Sequence, residues 1–277
     1  YKAWRNQQAL AAGRAGDLFG LLRVLLPLHL PVVLLEGFKD YRAAVLAMPV
    51  ARPKLAYSAN ALHNHLTFKL LVAEWIEDGT RLLYHQHGGG YGIDRVHAVE
   101  EFETRVVDRY FTLGWKNGNS KVQPLSPARL HAPSKARRHV LLSCVDFPQV
   151  VYRLHFHPMP GTIQTMHQET CSFLASLPDQ RNLLVRPYPA DYGWGFSRMM
   201  RSAAPGASFD DHGVSALVRY AQSRLVVHNY LGTGWLETLA LDIPTVCFFD
   251  EEIYAFRGAA QPLMDALERV GILHRSG

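Results

Sequence analysis

Between His228 and Thr245 the chain reads His-Asn-Tyr-Leu-Gly-Thr-Gly-Trp-Leu-Glu-Thr-Leu-Ala-Leu-Asp-Ile-Pro-Thr. An apolar run ends, a turn carrying Tyr230, Gly232, Thr233 and Gly234 follows, and a helix is expected to open there. The two glycines let the backbone approach a ligand closely. A helix N terminus offers free N–H groups and the positive end of a dipole, which suits a phosphate. Glu237, one turn further on, is placed to accept hydrogen bonds from ribose hydroxyls. The plain alternative is a tight strand-to-helix turn with a solvated glutamate.

Two more segments carry chemical groups. His85-Gln86-His87-Gly88-Gly89-Gly90-Tyr91-Gly92 follows an apolar run. Its glycines permit backbone shapes denied to other residues and make room for a ligand or another part of the chain. At most one of His85 and His87 is expected to face a cleft, and either could be a hydrogen-bonded structural residue. Arg186-Pro187-Tyr188-Pro189-Ala190-Asp191-Tyr192-Gly193-Trp194 follows another apolar run. Arg186 suits bidentate pairing with a phosphate or carboxylate. Tyr188 and its aromatic neighbours could stack a base or a sugar, or simply form local core.

Two acids complete the candidates. Glu36 sits in Leu-Leu-Glu-Gly-Phe and Asp108 in Asp-Arg-Tyr-Phe-Thr-Leu-Gly-Trp, both beside predicted strand ends. Such a carboxylate could deprotonate an acceptor hydroxyl or attack an anomeric carbon; the alternative for Asp108 is a turn residue between a helix and a strand. His85/His87 and His155/His157 repeat a His-x-His pattern. A metal hydrolase is the reading this would support, but no zinc-type ligand spacing accompanies it.

These residues need elements to position them. Short apolar runs at 31–35, 54–57, 81–84, 109–112, 139–144, 182–186, 224–228 and 244–249 predict buried strands. Helices are expected over 40–48 and 63–76, on the face Val99, Phe102, Val106, through Ile163 to Leu177, on Val214 to Ala221, around Leu236 to Ala240 and over 263–270. Strands alternating with helices predict parallel sheets covered on both faces. Residues 116–138 hold Asn, Gly, Ser, Lys and three Pro, and read as a connection between domains.

The bulk composition narrows the class. The 277 residues are 48% hydrophobic and 19% charged, with a net charge of +5, an ordinary globular balance. Basic residues are scattered, and the tightest cluster is Lys135-Ala136-Arg137-Arg138. That argues against a nucleic-acid binder; the cluster reads as a polar linker, with contact with anionic lipid head groups as the lesser option. The three cysteines, Cys144, Cys171 and Cys247, sit in apolar segments with no Cys-x-x-Cys pair, so free thiols in a reducing compartment are expected. No run reaches transmembrane length: Arg23, His29, Pro27 and Pro31 interrupt Leu18 to Leu35. The chain begins at Tyr1 without Met or signal peptide and reads as a piece of something longer.

The segment from His228 to Thr245 resembles the C-terminal-domain signature of glycosyltransferases of the GT-B kind. There a Gly-rich turn, a Glu on the next helix and a Leu-Ala-Leu-x-x-Pro run recur in this order. The resemblance implies two Rossmann-like lobes facing across a cleft, with Glu237 on the ribose and Gly232, Thr233 and Gly234 on the phosphate side. Together with Leu-Glu-Gly-Phe, His-Gln-His-Gly-Gly-Gly-Tyr-Gly and Asp-Arg-Tyr-Phe-Thr-Leu-Gly-Trp, it is similar to bacterial transferases of surface-polysaccharide assembly. More distantly it resembles the retaining CMP-Kdo-dependent β-Kdo transferases. By that likeness Asp108 matches a nucleophile and Glu36 its acid/base partner.

The expectation is therefore an α/β glycosyltransferase. Residues 1–125 would form an acceptor-side lobe truncated at its start, and 136–277 a nucleotide-sugar lobe. A CMP- or UDP-linked donor, with Kdo or a related acidic sugar from CMP as the option the resemblance implies, sits on Arg186, Tyr188, Tyr230, Gly232, Thr233, Gly234 and Glu237. Asp108, Glu36 or His87 does the chemistry beside the loop His85, Gly88, Gly89, Gly90. It needs no cofactor or metal and takes a glycan acceptor. Its place would be the cytoplasm, at the inner face of the membrane as an option. An epimerase or hydrolase of the same architecture, a metal hydrolase and a non-catalytic glycan- or nucleotide-binding scaffold are the competing readings.

Overall fold

A computed structural model describes residues 1–13, 16–125, 138–150 and 160–276. Contacts divide the chain into two compact units, Tyr1–Leu82 and Leu83–Gly277.

The first unit holds α1 (Lys2–Ala11), α2 (Leu18–His29), a 3-10 turn (Val32–Leu34), α3 (Phe38–Leu46), β1 (Leu55–Ser58), α4 (Ala61–Asn64), α5 (Leu66–Glu77) and the start of β2 (Arg81–His85). Arg5 ties it together. Its guanidinium donates to the carbonyls of Pro27 and Leu30 at 3.0 and 2.5 Å, and to both oxygens of Glu36 at 2.5 and 2.6 Å. Residues 31–35 are not the expected strand. Pro31 has no N–H for a ladder, and the N–H groups of Leu34 and Leu35 turn back to the carbonyls of Pro31 and Val32 at 2.9 and 3.1 Å. The helix predicted over 63–76 is broken at His65, whose ring nitrogen instead caps α5 by accepting from the N–H of Phe68 at 3.1 Å.

The second unit opens with the end of β2, then α6 (Ala98–Val106), β3 (Arg109–Thr112) and β4 (Val122–Pro124). β2 pairs with β3 and β3 with β4, all parallel. β4 falls inside the segment expected to be a connection; residues 126–137 lie outside the described ones. α6 forms where expected but turns the other face inward. Phe102 and Val106 are exposed, while Glu100 and Glu103 are buried. Glu103 accepts from the Tyr110 hydroxyl at 2.8 Å, and Glu100 is paired with Arg257. Partners of that kind are what allow a carboxylate to be buried.

A six-stranded sheet follows, built from β5 (His139–Ser143), β6 (Leu183–Arg186), β7 (Ser208–Phe209), β8 (Ser223–His228), β9 (Thr245–Phe248) and β10 (Leu273–His274). The helices are α7 (Pro160–Ser176), α8 (Phe196–Ala203), α9 (Ala216–Gln222), α10 (Thr233–Ala240) and α11 (Gln261–Arg269). Val214 lies outside α9 and is exposed. Every pairing in this sheet is parallel. The spatial order is β7-β6-β5-β8-β9-β10. Numbered along the chain, that is the 3-2-1-4-5-6 order of a Rossmann-like sheet. Alternation along β5 sends Leu142 into a cluster with Leu174, Phe196 and Met200, and Leu141 into one with Tyr220 and Val226. Both faces are thus covered, as the apolar runs predicted. Among the described residues, no helix is long and apolar enough to cross a membrane.

The turn from α10 to β9 shows why Leu-Ala-Leu-Asp-Ile-Pro stops a helix. Asp242 takes a left-handed conformation at φ 53°, which a short polar side chain tolerates better than most. The N–H groups of Asp242 and Ile243 then close on the carbonyls of Leu239 and Thr238 at 3.1 and 3.0 Å.

Candidate functional site

In a sheet of this order the chain leaves the first and fourth strands in opposite directions, opening a crevice at their carboxyl ends where ligands bind. Those strands are β5 and β8. Asn229 locks their exits together: its Oδ1 accepts from the N–H of Val145 at 3.0 Å, and its Nδ2 donates to Thr170 Oγ1 at 3.1 Å. Phe147 and Tyr230 meet edge to face at 5.0 Å between ring centres.

α10 begins at this crevice. A Cβ on Gly234 would lie 2.6 Å from the Tyr220 hydroxyl and 3.1 Å from the His228 ring, so only glycine fits. The Tyr220 hydroxyl is 3.2 Å from Ser143 Oγ, which places Ser143, Tyr220 and Gly234 side by side. His228 is structural. It is buried against Thr238 Oγ1 at 3.1 Å, and burial drops its pKa to about 3, so it is neutral. Glu237 is half-buried and burial raises its pKa. No side chain among the described residues pairs with it.

The loop after β2 meets this helix start. The Gly89 N–H donates to Thr233 Oγ1 at 3.1 Å, and a Cβ on Gly89 would stand 2.3 Å from the Gly232 carbonyl oxygen. Gln86 organises the loop. Its Oε1 accepts from the Leu113 N–H and the Trp115 indole at 2.8 and 2.9 Å, while its Nε2 donates to the Gly88 carbonyl at 2.7 Å. His85 is buried with its ring nitrogens 2.7 and 3.2 Å from the carbonyls of Gln86 and Leu125, whereas His87 is exposed. Beneath Gly90 lies Asp94, buried, its Oδ2 2.6 Å from where a Gly90 Cβ would be. Burial lifts the Asp94 pKa to about 7, against the pull of Arg257 and with a push from Glu100.

A family model matches residues 3–277, nearly the whole chain, and describes a LIC12162 family transferase. The chain belongs to that family of transferases. No curated protein matches it.

The transferase thus brings two of the three sequence segments together, and within the same unit it leaves Asp108 apart from them. Asp108 is exposed at the amino end of β3, the opposite end of the parallel pair from the loop His85–Gly90. A strand of four residues puts about 13 Å between those ends. Glu36 is in the first unit, clamped bidentately by Arg5, which holds its pKa down at about 2.

The third segment borders a cavity of about 650 Å³ at the carboxyl ends of β5, β6 and β7, lined by Tyr188, Phe196, Arg198, Arg201, Asp146 and Asp210 among others. Tyr188 stacks on Tyr192 at 5.8 Å. Arg186 is already engaged, by the Asp210 carboxylate and by the Val214 carbonyl at 3.1 Å. Asp146 is held by His167 at 2.9 Å, and both are buried. Asp94, Gln86, Asp146 and the α8 arginines were not singled out from sequence. Apolar residues four apart at Phe196 and Met200, with Arg198 and Arg201 between and after them, were a legible helix signal. Among the described residues no group of His, Cys, Asp or Glu gathers to hold a metal ion; His155 and His157 lie outside them.

Proposed function

We propose that this transferase is a glycosyltransferase of the GT-B kind that moves a sugar from a nucleotide donor, CMP- or UDP-linked, onto a bacterial surface-glycan acceptor. The observation that carries the reading is Glu237: a half-buried carboxylate with no protein partner among the described residues, one turn into the helix that opens at the crevice of a Rossmann-ordered sheet. Ribose hydroxyls are the donors such a carboxylate takes. The first N–H groups of α10 receive the phosphate. Arg186, spent on Asp210, fixes the wall of the site instead of meeting the phosphate. At the anomeric carbon the acceptor oxygen bonds, the bond to the phosphate oxygen breaks, and the nucleotide leaves as the anion. The acceptor proton passes to His87 on the glycine-rich loop or to Asp94 beneath it.

Calorimetry with CMP, UDP, GDP and ADP on the whole chain, wild type and Glu237→Ala, tests this. One nucleotide class should bind, and losing hydrogen bonds to a charged group should weaken it by about tenfold or more. No binding by a folded sample would sink the reading.

A further inference from the structure

One helix of the first unit lacks the cover its composition calls for. α2 reads Leu-Phe-Gly-Leu-Leu-Arg-Val-Leu-Leu-Pro-Leu-His, yet none of its 12 residues is buried. Leu18, Leu22 and Leu26 recur every fourth residue, so they form one row along the helix. Phe19 and Arg23, also four apart, form the row beside it. Leu18 is 66% exposed and Phe19 71%, and Leu22, Arg23 and Leu26 are exposed as well. Single exposed apolar residues are ordinary on a protein surface, whereas a contiguous row marks an interaction surface.

Charge decides which partner fits. Residues 1–54 hold eight Lys and Arg against three Asp and Glu, an excess equal to the +5 of the whole chain. The rest of the chain is therefore neutral on balance. Two of the three acids are spent. Asp17 caps α2, accepting from the Gly20 N–H at 2.7 Å, and Glu36 is clamped by Arg5. Lys2, Arg23 and Lys39 are exposed and pair with no carboxylate among the described residues. A second copy of the chain would set like charges against each other across the same face. An anionic lipid surface instead offers acyl chains to the apolar row and head groups to the cations. The helix is about 18 Å long, short of the ~30 Å hydrocarbon core, so it lies along the surface. The apolar stem of Arg23 can run beside Phe19 while its guanidinium reaches back to the head groups.

We infer that α2 is a membrane-docking helix, lying in the head-group region of an anionic bilayer with Leu18, Phe19, Leu22 and Leu26 inserted. The inference is independent of the nucleotide-sugar reading.

Flotation of the whole chain with lipid vesicles tests it. Vesicles of mixed phosphatidylcholine and phosphatidylglycerol should carry the protein. Phosphatidylcholine alone should bind about fivefold more weakly for each basic residue that reaches the surface. Arg23→Glu should weaken binding to the mixed vesicles about tenfold or more. Leu18→Ser/Leu22→Ser/Leu26→Ser should abolish flotation while the circular dichroism spectrum holds, because none of the three is a buried residue. Leu263→Ser/Val270→Ser, at exposed positions in and beside α11, should float like the wild type. The indole of Phe19→Trp should be quenched by brominated acyl chains, which contact with head groups alone would not produce. Arg23→Glu and Phe19→Trp decide the matter by themselves should the triple variant misfold. No flotation of a folded sample with mixed vesicles, an equal loss in the α11 variant, or an unquenched indole overturns the inference. A dimer in sedimentation that the triple variant dissolves, with no flotation, overturns it too and assigns the row to a second copy.

Discussion

The Gly89 N–H donates a hydrogen bond to the hydroxyl of Thr233, 144 positions along the chain, at 3.1 Å. Two glycine-rich turns from different sheets therefore touch backbone to backbone. Gly89 lies against Gly232 with no room for a side chain, so the glycines serve this close approach as well as any ligand. Loop placement and helix start are one structure, and what disturbs one disturbs the other.

Gly89→Ala should accordingly be felt at both turns. Its Cβ would meet a backbone carbonyl at 2.3 Å, and a carbonyl cannot swing aside like the tip of a flexible side chain. A stability loss of about 1–3 kcal/mol is expected, the scale of overpacking. Nucleotide affinity should fall with it. Urea unfolding and calorimetry read the two effects, and an unchanged midpoint with unchanged affinity would falsify the described contact.

Arg257 braces the same loop from another element. It grips both oxygens of Glu100 at 2.8 and 2.9 Å and donates to the Asp94 carbonyl at 3.0 Å. Glu100 in turn accepts from the Gly92 N–H at 2.7 Å. Arg257→Ala leaves a buried carboxylate without its cation and should cost about 2–3 kcal/mol, a little under the roughly 3–5 kcal/mol of a fully buried pair because the arginine is partly exposed. Adding Glu100→Gln should recover part of that loss. A single-variant cost below about 0.5 kcal/mol, the scale of a surface pair, would show that the brace carries no weight.

Legibility in the sequence followed how local the cause was. The apolar runs at 139–144, 182–186, 224–228 and 244–249 read as strands buried on both faces, and the structure forms strands there to within a residue at each end. The turn at Gly232–Gly234 was readable because glycine, helix start and Glu237 lie within six residues. The inward face of α6 was not, because Glu100 is buried by grace of Arg257, 157 residues away. The run 31–35 misled because Pro31 begins it, and β7 and β10 are two residues each, too short to show a period. Asp94 was invisible for a similar reason: only the fold places a carboxyl beneath Gly90.

Asp94 gives the transferase a pH dependence of definite sign. Its pKa rises from 3.8 to about 7, chiefly through burial. In the unfolded chain the carboxyl ionises near pH 4, while in the folded chain it keeps its proton until near pH 7. Across that window the folded state binds more protons, so stability falls as pH rises, and it levels off above the folded pKa. Asp94→Asn removes the titration. The stability difference between wild type and variant should therefore drift against the wild type by about 1 kcal/mol per pH unit from pH 5 to 7, then stay flat to pH 8. Arg257 opposes the shift, so in an Arg257→Ala background the drift should extend to higher pH. Urea unfolding at each pH measures it, and parallel curves for wild type and Asp94→Asn would show that Asp94 ionises as freely as in water.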